Sequence, residues 1–312
     1  MPDLLRMGWA ATALSANVFF FPAVYSYFPL FRPVPSVVTF HDAIAEEHPD
    51  LVFPERRARL FWRMKTRLAL ATATRILTVS DSARLQISRL FGIPESAIAV
   101  ATEGAAEIFG RRHDPLDVAR ALGKYGLPRD RPLFLYVGGI SPHKNIDGLL
   151  RALARLQDAT FHLAIVGDKD SDTFLSCYPA IAKLAQDLGL ASRITFPGFV
   201  PDGDLALLYA GATALVFPSF SEGFGLPAVE AMASGLPVAA SRAGSLPEVV
   251  KDAGLLFDPR DEGSIADAIA RLLADAELRA RLRRAGLARA AQYSWEPSAH
   301  AVVRLLEEIA SA

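Results

Sequence analysis

The stretch Glu222-Gly223-Phe224-Gly225-Leu226-Pro227-Ala228-Val229-Glu230 decides how this chain is read. Before it, Ala214-Leu215-Val216-Phe217-Pro218-Ser219 has the continuous apolar run of a buried strand. After the two glycines, Pro227 suits the first turn of a helix, where its missing N–H has no helical partner anyway. Strand, glycine turn, helix is a phosphate-binding geometry. The first amides of the helix point outward, and its dipole favours an anion there. The acids at the two ends distinguish this string from an ordinary phosphate loop, because a carboxylate repels phosphate but accepts hydrogen bonds from hydroxyls. Amides for a diphosphate and acids for sugar hydroxyls together indicate a nucleotide-sugar site. The plainer reading is that both acids only favour the helix amino terminus.

Four other strings carry chemistry. Val137-Gly138-Gly139-Ile140-Ser141-Pro142-His143-Lys144-Asn145 also follows a strand and precedes a helix. Gly138 and Gly139 let a ligand approach the backbone, and Lys144 supplies a mobile point charge for a diphosphate; the alternative is a tight turn with a solvated lysine. Phe40-His41-Asp42 ends a strand; His41 suits a hydrogen bond to a substrate hydroxyl or acid–base work, and Asp42 is equally a turn cap. In Val79-Ser80-Asp81-Ser82-Ala83-Arg84, Asp81 or Ser82 is expected to cap the next helix, while the functional alternative puts Ser80 and Arg84 near a ligand. Last, Arg56, Arg59, Arg63 and Arg67 share one side of a basic helix that also holds Arg57 and Lys65. A solvated face is the default; attraction to an anionic membrane or a lipid-diphosphate acceptor is the sharper reading.

Apolar β-rich runs alternate with helical patterns along the whole chain. Strands are expected at 18–22, 36–40, 75–79, 98–101, 133–137, 162–166, 193–196, 214–217, 238–240 and 255–257. Helices are expected at 56–71, 82–91, 147–156, 178–188, 205–210, 227–234 and 265–274. Buried strands separated by helices mean parallel sheets covered on both faces, a doubly wound α/β architecture, in which ligands sit at the carboxyl ends of the strands. The charged, turn-rich stretch between Phe109 and Pro132 is the expected boundary between a first domain of about four strands and a second of six.

Composition excludes several classes. The chain has 312 residues, 51% of them hydrophobic and 21% charged, which suits packed domains rather than disorder. With 33 basic and 34 acidic residues, no overall charge draws it to nucleic acid. Its single cysteine, Cys177, excludes an internal disulfide framework and a cysteine-rich metal site, and fits a cytoplasmic protein. The apolar stretch Val18 to Phe31 is interrupted by Pro22, Ser26 and Pro29, so it reads as core strand plus loop rather than a membrane span. Residues 1–16 lack the basic start and cleavage site of a secretion signal.

From Val18 onward the chain resembles the family 4 retaining glycosyltransferases. The resemblance is most specific at Phe196-Pro197-Gly198-Phe199-Val200-Pro201, Ser219-Phe220-Ser221-Glu222 and Ser245-Leu246-Pro247-Glu248, and again at Ser294-Trp295. It implies the GT-B fold, two Rossmann-like domains facing a cleft: an N-terminal acceptor-side domain at 1–112, a nucleotide-sugar domain at 113–295, and a helix at 296–312 returning to the first. It implies that Glu222 contacts the donor sugar, Glu230 binds ribose hydroxyls, and the amides of Gly223, Phe224, Gly225 and Leu226 meet sugar and diphosphate. Lys144 then holds the diphosphate, Phe199 and Val200 lie by the base, and His41 lines the donor-sugar site. No metal and no cofactor are implied, so protein groups stabilise the departing diphosphate. The expected activity is transfer of a hexose from GDP-mannose or a UDP-hexose to a glycan or lipid-linked acceptor in polysaccharide synthesis, with peripheral contact on the inner face of an anionic membrane.

Two departures from the family pattern stand out. Gly139 occupies a position where the family usually has an arginine, with Arg242 and Lys251 the candidate substitutes. No glycine-rich strand–loop precedes Val18, so the first domain is expected to be incomplete. Both favour the alternative, a non-catalytic nucleotide-sugar-binding partner or an inactive fragment. A sugar phosphorylase or epimerase of similar fold is a third reading, opposed by the Glu222–Glu230 string.

Overall fold

A computed structural model describes residues 2–53, 55–156, 160–169 and 177–311. The chain divides into two units, Met1–Glu103 with Trp295–Ala312, and Gly104–Ser294.

In the first unit, helix α1 (Pro2–Thr12) leads to β1 (Phe19–Phe21) and β2 (Ser36–Thr39). The short α2 (Ile44–Glu47) and α3 (Pro49–Val52) precede α4 (Arg56–Thr72), β3 (Arg75–Thr78), α5 (Asp81–Phe91) and β4 (Ile98–Val100). The strands form one parallel sheet in the order β1-β2-β3-β4. Because side chains alternate along a strand, each strand supplies both faces. Phe21, Val38, Ile76 and Ile98 point to one face, where Ala69 of α4 and Ile87 of α5 cover them. Val37, Leu77 and Ala101 point to the other, covered by Ile309 with Val302, Leu305 and Leu306 of the last helix.

Helix α5 is capped one residue earlier than the sequence suggests. The buried Ser80 hydroxyl, not Asp81 or Ser82, accepts from the Ala83 amide at 3.0 Å. Ser80 still has extended backbone while Asp81 is already helical, as the capping position demands. At the other end Gly92, at φ 68°, closes the helix in the left-handed region.

The second unit contains α6 (Pro115–Lys124), β5 (Leu133–Val137), α7 (Ile146–Ala154), β6 (His162–Val166), α8 (Tyr178–Asp187), β7 (Ile194–Gly198), α9 (Asp202–Gly211), β8 (Ala214–Phe217), α10 (Leu226–Ala233), β9 (Val238–Ser241), α11 (Leu246–Val250), β10 (Leu255–Phe257), α12 (Glu262–Ala274) and α13 (Ala276–Ala290). Helix α14 (Trp295–Ser311) follows and belongs to the first unit. The six strands are parallel, in the order β10-β9-β8-β5-β6-β7. Every residue of β5, β6, β8 and β9 is buried, which is why these strands read as unbroken apolar runs instead of alternating. The expected doubly wound α/β class is therefore what the chain adopts. Its strand order reverses between β5 and β8, the place where such sheets open a crevice for ligands.

The charged stretch after Phe109 is not a bare connector, since it holds α6. Asp114 accepts from the Leu116 amide at 2.8 Å and Pro115 takes the first turn, so a dipeptide that reads as a turn is here a helix start. The helix is fastened to α9, where Lys124 Nζ and the Tyr125 hydroxyl reach Asp204 Oδ2 at 2.5 and 2.6 Å. Among the described residues, no helix is long and apolar enough to cross a membrane.

Candidate active site

Two loops meet at the reversal of the second sheet. One leaves β5 and runs through Gly138, Gly139 and Lys144 into α7; the other leaves β8 and runs through Glu222 and Gly225 into α10. The Phe220 amide donates to the His143 carbonyl at 2.9 Å, tying the loops together through their backbones. Above that bond, Lys144 Nζ sits 2.7 Å from Glu222 Oε1, with the two side chains only 17% and 10% exposed. The lysine also stands 5.8 Å from the centre of the Phe217 ring. A pair this buried has lost most of its hydration, so either charge left alone is costly.

Asn145 fixes the first loop. It takes the left-handed conformation, at φ 55°, which Asn tolerates better than most residues. Its buried side-chain amide donates to the Pro218 carbonyl at 3.1 Å and the Pro259 carbonyl at 2.8 Å. One side chain thus holds the ends of β5, β8 and β10 together. The buried Tyr136 hydroxyl adds a bond to the Gly139 carbonyl at 2.7 Å. Burial, with Glu222 nearby, keeps that phenol protonated well above its ordinary pKa.

The second loop is pinned by the turn after β9. Ser241 Oγ donates to the Ser219 carbonyl at 2.6 Å, and Ser245 Oγ to the Phe224 carbonyl at 2.7 Å. Gly244 lies so close that a Cβ there would stand 2.6 Å from the Glu222 nitrogen and 2.8 Å from its oxygen. Gly225, at φ 94°, begins α10, and a Cβ there would meet Leu246 Cδ2 at 2.6 Å. No side chain caps α10; Pro227 has no N–H and the Ala228 amide donates to the Gly225 carbonyl at 2.9 Å, which leaves the Leu226 amide of the first turn to face an anion. The Phe224 ring is buried against Tyr293, their centres 5.3 Å apart, which leaves only the Phe224 backbone to face a ligand. Glu230, one turn into α10, accepts from the buried Tyr209 hydroxyl at 3.2 Å. Burial, reinforced by Glu230, raises the Tyr209 pKa well above its usual value.

The remaining sequence candidates are more scattered. Phe199 follows the end of β7 and is 75% exposed, whereas the Val200 side chain is buried, so Val200 presents backbone alone. Arg242 follows β9 at the carboxyl edge of the sheet, its guanidinium donating to the Leu256 carbonyl at 3.3 Å. Lys251 lies at the opposite edge: three residues on, Gly254 abuts the carbonyl of Val238, the first residue of β9. Lys251 is therefore no substitute for a missing diphosphate cation. In the first unit, His41 follows β2 at that sheet's own carboxyl edge and is half-buried. Burial lowers its pKa, only partly offset by Asp42, so the imidazole is neutral near neutral pH. Asp42 caps the next turn, accepting from the Ile44 amide at 2.9 Å. Arg84 is paired with Asp81 at 3.1 Å and Glu95 at 3.8 Å.

Sequence reasoning gave no role to Asn145, Gly244 or Tyr209. Asn145 carried a usable signal, as an amide side chain directly before a helix. Tyr209 carried none, because nothing local marks a partner in α10.

Comparison with known proteins identifies the family and the fold. The family described as Glycosyl transferases group 1 matches residues 118–289, and Glycosyltransferase Family 4 matches residues 15–105. The O-antigen chain mannosyltransferase B of Escherichia coli is 37% identical over 294 residues, covering 93% of this chain and 74% of that protein. The D-inositol 3-phosphate glycosyltransferase of Frankia alni is 36% identical over 259 residues, covering 80% of this chain and 62% of its own length. In fold, the chain is similar to Anabaena Alr3699/HepE, whose crystal structure holds UDP and glucose: TM-score 0.79, 21% identity, covering all of this chain and 82% of that one.

Proposed function

This chain belongs to the group 1 glycosyltransferases, and from that membership we propose that it moves a hexose from a nucleoside-diphosphate donor to a glycan or lipid-linked acceptor, with retention at the anomeric carbon. The observation that carries the reading is the meeting of Lys144 and Glu222 at the sheet reversal, beside the uncapped start of α10. In this proposal the donor diphosphate lies on the Leu226 amide at the start of α10 and draws Lys144 to itself. Glu222, released, accepts from a sugar hydroxyl, and Glu230 accepts from the ribose. His41 offers a neutral imidazole, one N–H and one lone pair, to a substrate hydroxyl. The bond between the anomeric carbon and the diphosphate oxygen breaks, and charge grows on phosphate oxygens that this amide and Lys144 stabilise. The acceptor oxygen bonds to that carbon from the same face, its proton passing to the leaving phosphate.

The mannosyltransferase relative supports a mannose donor, and the UDP in the HepE structure supports a uridine one. A lipid-linked acceptor fits work at the inner face of a membrane. Thermal shift against UDP, GDP, ADP and TDP identifies the base, since a ligand of the folded state raises the melting temperature. Transfer or slow hydrolysis of the matching nucleotide sugar then tests catalysis. Stabilisation by none of the four, with no turnover of any nucleotide sugar, would reject the proposal. Gly139 favours one other reading, a nucleotide-sugar binder without turnover; binding with no hydrolysis or transfer would select it.

A further inference from the structure

Helix α9 buries Leu205, Ala206, Leu208 and Tyr209, and Tyr209 is only 1% exposed. A phenylalanine would fill the same space without taking a hydroxyl out of water, a step that costs free energy unless the hydroxyl finds a partner. The Tyr209 hydroxyl finds its partner outside its own helix. It lies 3.2 Å from Glu230 Oε2 on α10 and 3.5 Å from the Pro227 carbonyl. A phenol has one proton to donate, and the carboxylate, nearer and charged, is the stronger acceptor. Burial keeps that proton in place well above the ordinary tyrosine pKa.

The ring that carries the hydroxyl is itself fixed. It meets the buried Phe109 ring edge-on, their centres 5.7 Å apart. The Phe109 carbonyl accepts from Ser234 Oγ at 2.9 Å, and Ser234 closes α10. One aromatic pair therefore ties the tyrosine to the helix that bears Glu230. A glutamate side chain has several rotatable bonds and loses much freedom when immobilised. Ordering it before a ligand arrives removes that loss from binding. Ribose offers two neighbouring hydroxyls as donors, and an ionised carboxylate only accepts. Held in one orientation, a single carboxylate can meet both. A site built to hold a hydroxyl in this way rejects an analogue that lacks it.

We propose that Tyr209 is a positioning residue: by holding Oε2 of Glu230 it sets the carboxylate for the ribose diol and makes the site choose ribonucleotides over deoxyribonucleotides. The proposal rests on the nucleotide-sugar reading above, which puts the ribose at Glu230.

Calorimetric titration with UDP, GDP and ADP, each beside its deoxyribose counterpart, tests it in the parent, Tyr209→Phe, Glu230→Ala and the double variant. The parent should prefer the ribose form of its nucleotide about tenfold or more, the worth of a hydrogen bond to a charged group. Tyr209→Phe keeps the ring and should melt near the parent. It should bind the ribose form about tenfold more weakly, as loss of an outer partner of a binding group does, with the deoxyribose form little changed. Added to Glu230→Ala it should cost nothing further, since it acts only through that carboxylate. In turnover it should raise KM for the nucleotide sugar and leave kcat near the parent's. A tyrosine that only fills the core would weaken both forms alike, and would do so as much in the Glu230→Ala background; either result overturns the proposal. A parent that prefers the ribose form, with Tyr209→Phe preferring it equally, refutes the positioning role alone. A parent that binds none of these diphosphates refutes the nucleotide-sugar reading and this proposal with it.

Discussion

Lys144 and Glu222, 78 residues apart in sequence, form an ion pair of 2.7 Å that closes the two loops at the sheet reversal. Each residue is the other's counter-charge here, while both are assigned to the donor. In the proposed function, binding exchanges one partner for another: the ammonium passes from carboxylate to diphosphate, and the carboxylate from ammonium to hydroxyl. Through that exchange Lys144 keeps an anionic partner, while Glu222 keeps a hydrogen bond in a largely buried site.

Replacing Lys144 by alanine should lower kcat by about two to three orders of magnitude, as loss of an electrostatic donor in the transition state does. Glu230→Ala should instead raise KM with a small change in kcat, because the ribose contact is the same in ground and transition states. Steady-state kinetics with the nucleotide sugar identified by thermal shift distinguishes them; near-parental values in both variants would remove the site assignment.

Position 139 has room for a longer side chain. A Cβ on Gly139 meets nothing nearer than Ser141 Oγ at 3.9 Å, and the backbone there is not left-handed. Gly139→Arg should therefore fold normally and tighten nucleoside-diphosphate binding about tenfold, the worth of one charge-assisted hydrogen bond. Calorimetric titration reads this directly, and unchanged affinity in a folded variant would show that position 139 does not face the phosphates.

Asn145→Ala removes two buried hydrogen bonds and places a residue with a Cβ but no side-chain amide at a left-handed position. A loss of about 2–4 kcal/mol in folding stability is expected, from two unsatisfied carbonyls and the backbone strain. Urea unfolding measures it, with nucleotide binding weakened in parallel because the two loops lose their common anchor.

The histidine of the first unit gives a pH signature. Burial lowers the His41 pKa below its ordinary 6.5. In that direction the unfolded chain binds more protons than the folded one as pH falls below 6.5, so stability drops with acidity until the folded value is passed. His41→Gln should flatten the decline of melting temperature over that acid window. A decline identical to the parent's would mean that other groups cause it.

Much of this architecture was legible because its signals are local. Each of the ten expected strands overlaps an observed one, since a strand buried on both faces announces itself by composition alone. Helices α1, α6 and α13, and the short α2, α3 and α11, were not legible. Helix α6 hides behind Asp114-Pro115, and α13 presents few buried residues between its many arginines, with Leu278 and Leu282 among them. In the site, the glycine strings could be read because a tight turn before a helix needs particular residues at particular places. The pairings could not. Lys144 with Glu222, Asn145 with Pro259 and Tyr209 with Glu230 depend on which loops the strand order brings side by side, and no single segment records that order.

The return of α14 to the first sheet has a consequence for synthesis. Residues that cover Val37 and Leu77 are translated only after the whole second unit, while the strands they cover are translated before it. On the ribosome the later-made unit can reach its native state before the earlier one does. The N-terminal sheet must wait with a bare hydrophobic side, roughly 10–40 s at about 5–20 residues per second. Nascent chains of this protein are thus most in need of a chaperone's shelter along the sheet of the first unit.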